Sequence, residues 1–159
     1  MNRQDLTGCP SIDKPWLKYY SEEAIHAPLP KCTAYELIRR GNAGHPDDTA
    51  LIYFDRKITY GQMFDGIESA AKAFAALKIA QGDIVILCVV NMPETVYALY
   101  ALDRLGAVAN LVDPRTNAEQ LRNYITECDA KMVVTVDLAY SIIQQASSET
   151  TVERIITIS

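Results

Sequence analysis

The stretch DIVILCVVNMPETVYALYALDRLGAVANLVDPRTNAEQLRNYI, residues Asp83–Ile125, decides the fold. It begins with an unbroken apolar run, Ile84–Val90. Such a run, bounded by polar turn residues, is the pattern of a strand covered on both faces. Asn91-Met92-Pro93-Glu94 then opens a helix, with Pro93 in its first turn and Glu94 at the positive end of the helix dipole. Val96, Leu99, Tyr100 and Leu102 form an apolar stripe, and Gly106 is the stop. Ala107–Val112 reads as a second buried strand, and Asp113-Pro114 turns the chain. Thr116 with Glu119 has the spacing of a capping box for the next helix, which points Leu121, Tyr124, Ile125 and Cys128 inward.

The same alternation continues toward the C-terminus. Lys131–Val136 is a third strand, Asp137 caps a helix running through Ile142 and Ile143, and Arg154–Ile158 is a fourth strand. Strands alternating with helices fold into a right-handed parallel α/β sheet with helices on both faces. Toward the N-terminus, Thr59 and Gln62 form a capping box for a helix whose inner face carries Met63, Ile67, Ala70, Ala71, Phe74 and Leu77. Before it, the β-rich runs Ala50–Phe54 and Lys57–Tyr60, separated by Asp55-Arg56, read as a hairpin that lacks the favoured turn glycine. Thr33 with Glu36 caps a short helix that Gly41 ends. Residues 1–31 read as an irregular arm punctuated by Pro10, Pro15, Pro28 and Pro30. Within that arm, Trp16, Leu17, Tyr19 and Tyr20 are spent on packing, either across the folded body or against a partner.

Composition narrows the function. The chain has 159 residues and a net charge of −5, which suits one domain with a tail and argues against nucleic acid as a partner. Cys9, Cys32, Cys88 and Cys128 show no CxxC spacing, and neither His26 nor His45 falls at metal-ligand spacing from them. Reduced thiols and a cytoplasmic location are expected. Leu6–Cys9 follows no apolar leader, and the longest apolar run is far too short to span a bilayer.

Open α/β sheets bind ligands beyond the carboxyl ends of their strands. Those positions hold Asn91–Glu94, Asp113–Asn117 and Asp137–Tyr140. None is a glycine-rich phosphate cradle, and no GxSxG or HExxH motif occurs. Asn91, Asp113 and Arg115 are the polar residues best placed by topology. All three read as candidate ligand contacts; the other reading, which is the one adopted, makes Asn91 and Asp113 turn and cap residues that satisfy local backbone groups. Asp103 and Arg104 read as solvated.

Laid out this way, the chain resembles the N-terminal region of the adenylate-forming enzymes, the acyl-CoA synthetases, aryl-CoA ligases, luciferases and amino-acid adenylation domains. The resemblance runs from about Pro15 onward and is carried by ITYGQMFDGIESAAKAFAALKIAQGDIVILCVVNMPETVYALYALDRLGAVANLVDPR, Ile58–Arg115. TYGQM resembles the family's early Thr-Tyr helix start. GDIVILCVVNMPE resembles its strand and Asn-x-Pro-Glu turn, and ALDRLGAVANLVDPR its helix–Gly–Ala–strand–Pro segment. PWLKYY points toward the fatty-acyl-CoA ligase branch.

The resemblance implies a Rossmann-like α/β subdomain over residues 32–159. It also implies a two-step reaction, in which ATP and a carboxylate give an acyl-adenylate, and coenzyme A then takes the acyl group. ATP, Mg²⁺ and CoA are implied for the whole enzyme and none for this chain. The family's phosphate loop, magnesium ligand, ribose-binding Asp and mobile lysine all lie after the segment seen here. Ser147–Thr151, SSETT, lacks that loop's glycines and lysine and precedes a strand. No catalytic, cofactor-binding or metal-ligating residue is therefore carried onto this sequence. The expected role is a catalytically silent scaffold truncated before the phosphate loop, with the remainder of the enzyme as its partner and self-association when isolated. The alternatives are a stand-alone interaction or regulatory module, and an unrelated flavodoxin-like nucleotide binder.

Overall fold

A computed structural model describes residues 6–158. The chain divides into two units, Met1–Lys31 and Cys32–Ser159.

The first unit holds single helical turns: α1 (Pro10–Asp13), a 3-10 turn (Pro15–Tyr19) and α2 (Glu22–His26). The prolines that suggested an irregular stretch start two of these turns, because Pro at the first helical position gives up no hydrogen bond. Ser21 Oγ caps α2 by accepting the Ala24 N–H at 3.2 Å. None of the three elements has a buried residue.

The second unit opens with α3 (Ala34–Gly41). Thr33 and Glu36 make the expected capping box, while the helix runs through Gly41 to an Asn42 cap. The strands β1 (Thr49–Tyr53) and β2 (Arg56–Thr59) pair antiparallel. Their turn residues are Phe54 and Asp55, one position earlier than the sequence suggested, at φ 44° and 61°. Two left-handed residues in succession give the tight turn whose twist matches the strands. α4 (Tyr60–Ala76) follows with the Thr59–Gln62 capping box and buries Met63, Ile67, Ala71 and Phe74.

The core is then built by β3 (Ile84–Cys88), α5 (Pro93–Leu105), β4 (Val108–Val112), α6 (Ala118–Cys128), β5 (Met132–Val136), α7 (Tyr140–Ser147) and β6 (Arg154–Ile158). The four strands form a parallel sheet in the order β4-β3-β5-β6. Side chains alternate across the sheet. Val85, Leu87, Met132 and Val134 meet α4 and α5 on one face. Ile86, Cys88 and Val133 meet Leu121 and Ile125 of α6 and Ile143 and Ala146 of α7 on the other. This is the parallel α/β layering expected from the alternation.

Several local expectations are corrected. β4 and β6 are edge strands, so Val108 and Leu111 stand 49% and 58% exposed instead of buried. The buried line of α5 runs through Thr95, Ala98, Ala101 and Leu102, while Val96, Leu99 and Tyr100 are half-buried. Small residues on that line let α5 sit close to its neighbours. The cap of α6 is Asn117, whose side chain accepts the Gln120 N–H at 2.9 Å. Thr116 instead donates its backbone N–H to Asp113 O at 3.0 Å. Tyr124 is 41% exposed. Asp137 starts a 3-10 turn (Asp137–Ala139) ahead of α7 rather than capping it. Asp103 and Arg104 tie elements together: Asp103 Oδ2 accepts the Tyr35 N–H at 2.7 Å, and Arg104 pairs with Glu68 at 2.6 Å.

Candidate functional site

The carboxyl ends of β3 and β4 open into a groove of about 490 Å³. Its walls include Val90 and Asn91 after β3, and Leu111, Asp113 and Arg115 at and after β4. Asn91 also borders a second groove of about 260 Å³, facing Leu51 and Tyr53 of the hairpin. The chain leaves β3 toward β4 on one side and returns to β5 on the other. The larger groove therefore lies beside the point where the winding direction switches, the region where open α/β sheets take ligands.

Two buried threonines hold the end of β3 in place. Thr95 Oγ1 donates to Val90 O at 2.7 Å, and Thr135 Oγ1 donates to Cys88 O at 3.0 Å. Each hydroxyl satisfies a carbonyl where the strand stops, so the turn into α5 keeps its shape. Sequence reasoning passed over both; the available signal was a lone hydroxyl residue within each apolar pattern, KMVVTV and PETV.

The three residues singled out by topology are brought to one groove. Asp113 Oδ1 accepts the Arg115 backbone N–H at 2.8 Å, as a turn residue does. It also grips the side chain: Arg115 Nε lies 3.0 and 3.2 Å from the two carboxylate oxygens, and Nη2 lies 2.6 Å from Oδ2. That fork holds the Asp113 carboxyl at about 2, well below the usual range, and raises Arg115 further. Asn91 departs from the cap reading: α5 takes its N-cap from Met92, and the Asn91 side chain has no hydrogen-bond partner among the described residues.

The polar side chains lining the groove are Asn91, Asp113 and Arg115. Burial pushes the Cys88 thiol up to about 11, with the Asp113 charge adding to it, so the thiol stays protonated and inert near neutrality. Asp113 is the carboxylate lining the groove, and Arg115 contacts both of its oxygens. Among the described residues no three His, Cys, Asp or Glu side chains converge on a metal position. These residues do not fit a Mg²⁺–triphosphate, which needs free carboxylate oxygens and a cradle of backbone N–H groups.

The family model described as AMP-binding enzyme matches residues 38–159. The chain belongs to the AMP-binding enzyme family. It is 32% identical over 133 residues to an acetyl-coenzyme A synthetase of Streptomyces avermitilis, covering 79% of this chain and 19% of that protein. It is 25% identical over 128 residues to a long-chain-fatty-acid–CoA ligase of Bacillus subtilis, covering 80% and 23%. A long-chain-fatty-acid-CoA ligase from Archaeoglobus fulgidus superposes with a TM-score of 0.77 at 19% identity, covering 82% of this chain and 28% of that one, a likeness of fold. The chain thus spans about a fifth of the length of the curated relatives it matches. Within the family it corresponds to the N-terminal region, as the order of its motifs implied. No helix among the described residues is long and apolar enough to cross a membrane.

Proposed function

We propose that this chain is the front part of an ATP-dependent acid–thiol ligase, which joins a carboxylate to AMP and then passes the acyl group to coenzyme A. The family match over residues 38–159 carries this reading. Relatives named acetyl-coenzyme A synthetase and long-chain-fatty-acid–CoA ligase support the acyl-CoA branch.

The segment's own part is structural. Residues 32–159 form one α/β layer, and the turns at its carboxyl ends line the approach to a site completed by the rest of the enzyme. The groups that activate the carboxylate and hold Mg²⁺ are assigned to the remainder of the enzyme, a reading supported by the pairing of Asp113 with Arg115 and by the raised Cys88 thiol. Residues 1–31 are an arm, and the compartment is the cytoplasm.

The test has two parts. Immunoblotting against this segment in the source cell is expected to detect a protein several times larger, and that protein is expected to catalyse carboxylate-dependent ATP–pyrophosphate exchange and acyl-CoA formation. The 159-residue chain alone is expected to be inactive in both assays. Robust exchange by the chain alone, or a native protein of this chain's own size, overturns the reading.

A further inference from the structure

We propose that Arg115 is a phosphate-recognition residue, held by Asp113 so that the free edge of its guanidinium receives a phosphate group of an adenine-nucleotide co-substrate. The identity of that co-substrate rests on the ligase reading; the site rests on geometry.

A guanidinium has two donor edges that can each grip a pair of oxygens. Asp113 occupies the side edge, Nε with Nη2. The end edge, Nη1 with Nη2, keeps a hydrogen on each nitrogen at the spacing of two oxygens of one phosphate. The pair faces solvent, with the Arg115 side chain 89% and the Asp113 side chain 49% exposed, so the free edge of the fork is open to a ligand. The same carboxylate oxygen holds the backbone N–H of Arg115, which couples the turn to the direction of the fork.

The surroundings suit a small amphipathic ligand. Leu111 is 58% and Val90 46% exposed in the same groove, an apolar floor beside the charged pair. Asn91 stands across it with a donor and an acceptor unused among the described residues. An apolar groove with a few convergent polar groups is the usual composition of a small-molecule site. Because Asp113 cancels the charge of Arg115 at a distance, the site selects by the fork and only weakly by the general attraction of anions. A lysine at this position keeps the charge and loses the fork.

The experiment is a ¹H–¹⁵N titration of the 159-residue chain, following the Arg115 Nε–Hε signal and the backbone amides from Leu111 to Thr116. CoA, ATP and inorganic pyrophosphate are added separately, without Mg²⁺. Saturable shifts at Arg115 are expected with one nucleotide. A response to CoA but not ATP assigns the phosphate to the thiol carrier, and the reverse assigns it to ATP. Arg115→Ala is expected to weaken that binding about tenfold, the loss expected for charge-assisted hydrogen bonds. Arg115→Lys is expected to weaken it nearly as much, with the rest of the spectrum unchanged in both variants. The proposal is overturned if neither nucleotide shifts these signals, if pyrophosphate alone does, or if either variant binds as the parent does. Specific binding by the chain, together with a longer native protein that makes no acyl-CoA, overturns the ligase reading and leaves the phosphate site standing.

Discussion

Gly66 sits inside α4, where helix propensity alone says alanine is better by about 1 kcal/mol. The structure reverses that expectation. A Cβ on Gly66 lies 2.9 Å from Cδ2 and Cε2 of Tyr97 and 3.0 Å from its Cζ. Tyr97 belongs to α5, so the glycine is where the two helices approach closely. Gly66→Ala must push the ring aside, and overpacking of this kind costs about 1–3 kcal/mol. Set against the propensity gain, the expected net effect is a loss of about 1 kcal/mol. With Tyr97→Ala as background the ring is gone and only propensity remains, so the same substitution is expected to stabilise by about 1 kcal/mol. The double-mutant cycle therefore carries a coupling of about 2 kcal/mol. Equilibrium urea unfolding of the four proteins, followed by far-ultraviolet circular dichroism at constant m-value, measures it. If Gly66→Ala stabilises equally in both backgrounds, the helices are not in contact at this glycine and the reasoning fails.

Three further outcomes are expected. Replacing Phe54-Asp55 by Asn-Gly relieves two side chains held at positive φ and is expected to raise stability by about 1 kcal/mol; an unchanged urea midpoint counts against the turn geometry. The Asp83 carboxyl is held below its ordinary value of 3.8, first by the Ala80 N–H at 2.8 Å and then by Lys131 at 2.9 Å. A depressed folded pKa means that its contribution is complete above the unfolded value and is lost as pH falls through the folded one. Stability is thus expected to drop below about pH 4 more steeply in the parent than in Asp83→Asn, and parallel profiles refute this. Phe74, Leu77, Tyr97, Val134, Ile156 and Ile158 line an apolar groove of about 220 Å³ beside the open edge of β6. Self-association of the isolated chain is therefore expected in sedimentation equilibrium, and a strictly monomeric species at high concentration refutes it.

The elements and their order were legible in the residues because the forces that set them are local. The Thr33–Glu36 and Thr59–Gln62 capping boxes form as read, since each partner lies within one helical turn. Gly106 takes φ 71° at the end of α5, a conformation glycine adopts without strain. The apolar run after Asp83 is the fully covered β3, and the alternation that follows it forces a parallel sheet. The family resemblance was legible for the same reason: its motifs are strand ends, caps and turns in a fixed order. Where two local signals competed, reading was less secure. Thr116 was read as the cap of α6, but the helix starts one residue later and Asn117, the better N-cap residue, accepts the Gln120 N–H.

What only the tertiary structure decided is which residues become neighbours across long separations. The amino-acid pattern of β4 does not distinguish an edge strand from a central one, so the exposure of Val108 and Leu111 followed from the order β4-β3-β5-β6 alone. Asp103 and Arg104 look like solvated helix-end charges until α3 and α4 pack beside α5. Asn91 and Arg115 were each legible as polar residues beyond a strand end, yet their shared groove exists because β3 and β4 pair in parallel register and end together, Cys88 opposite Val112. Periodicity and capping report what a residue does within a turn or two of itself; the groove and the Gly66–Tyr97 contact depend on how whole elements pack, which no local pattern encodes.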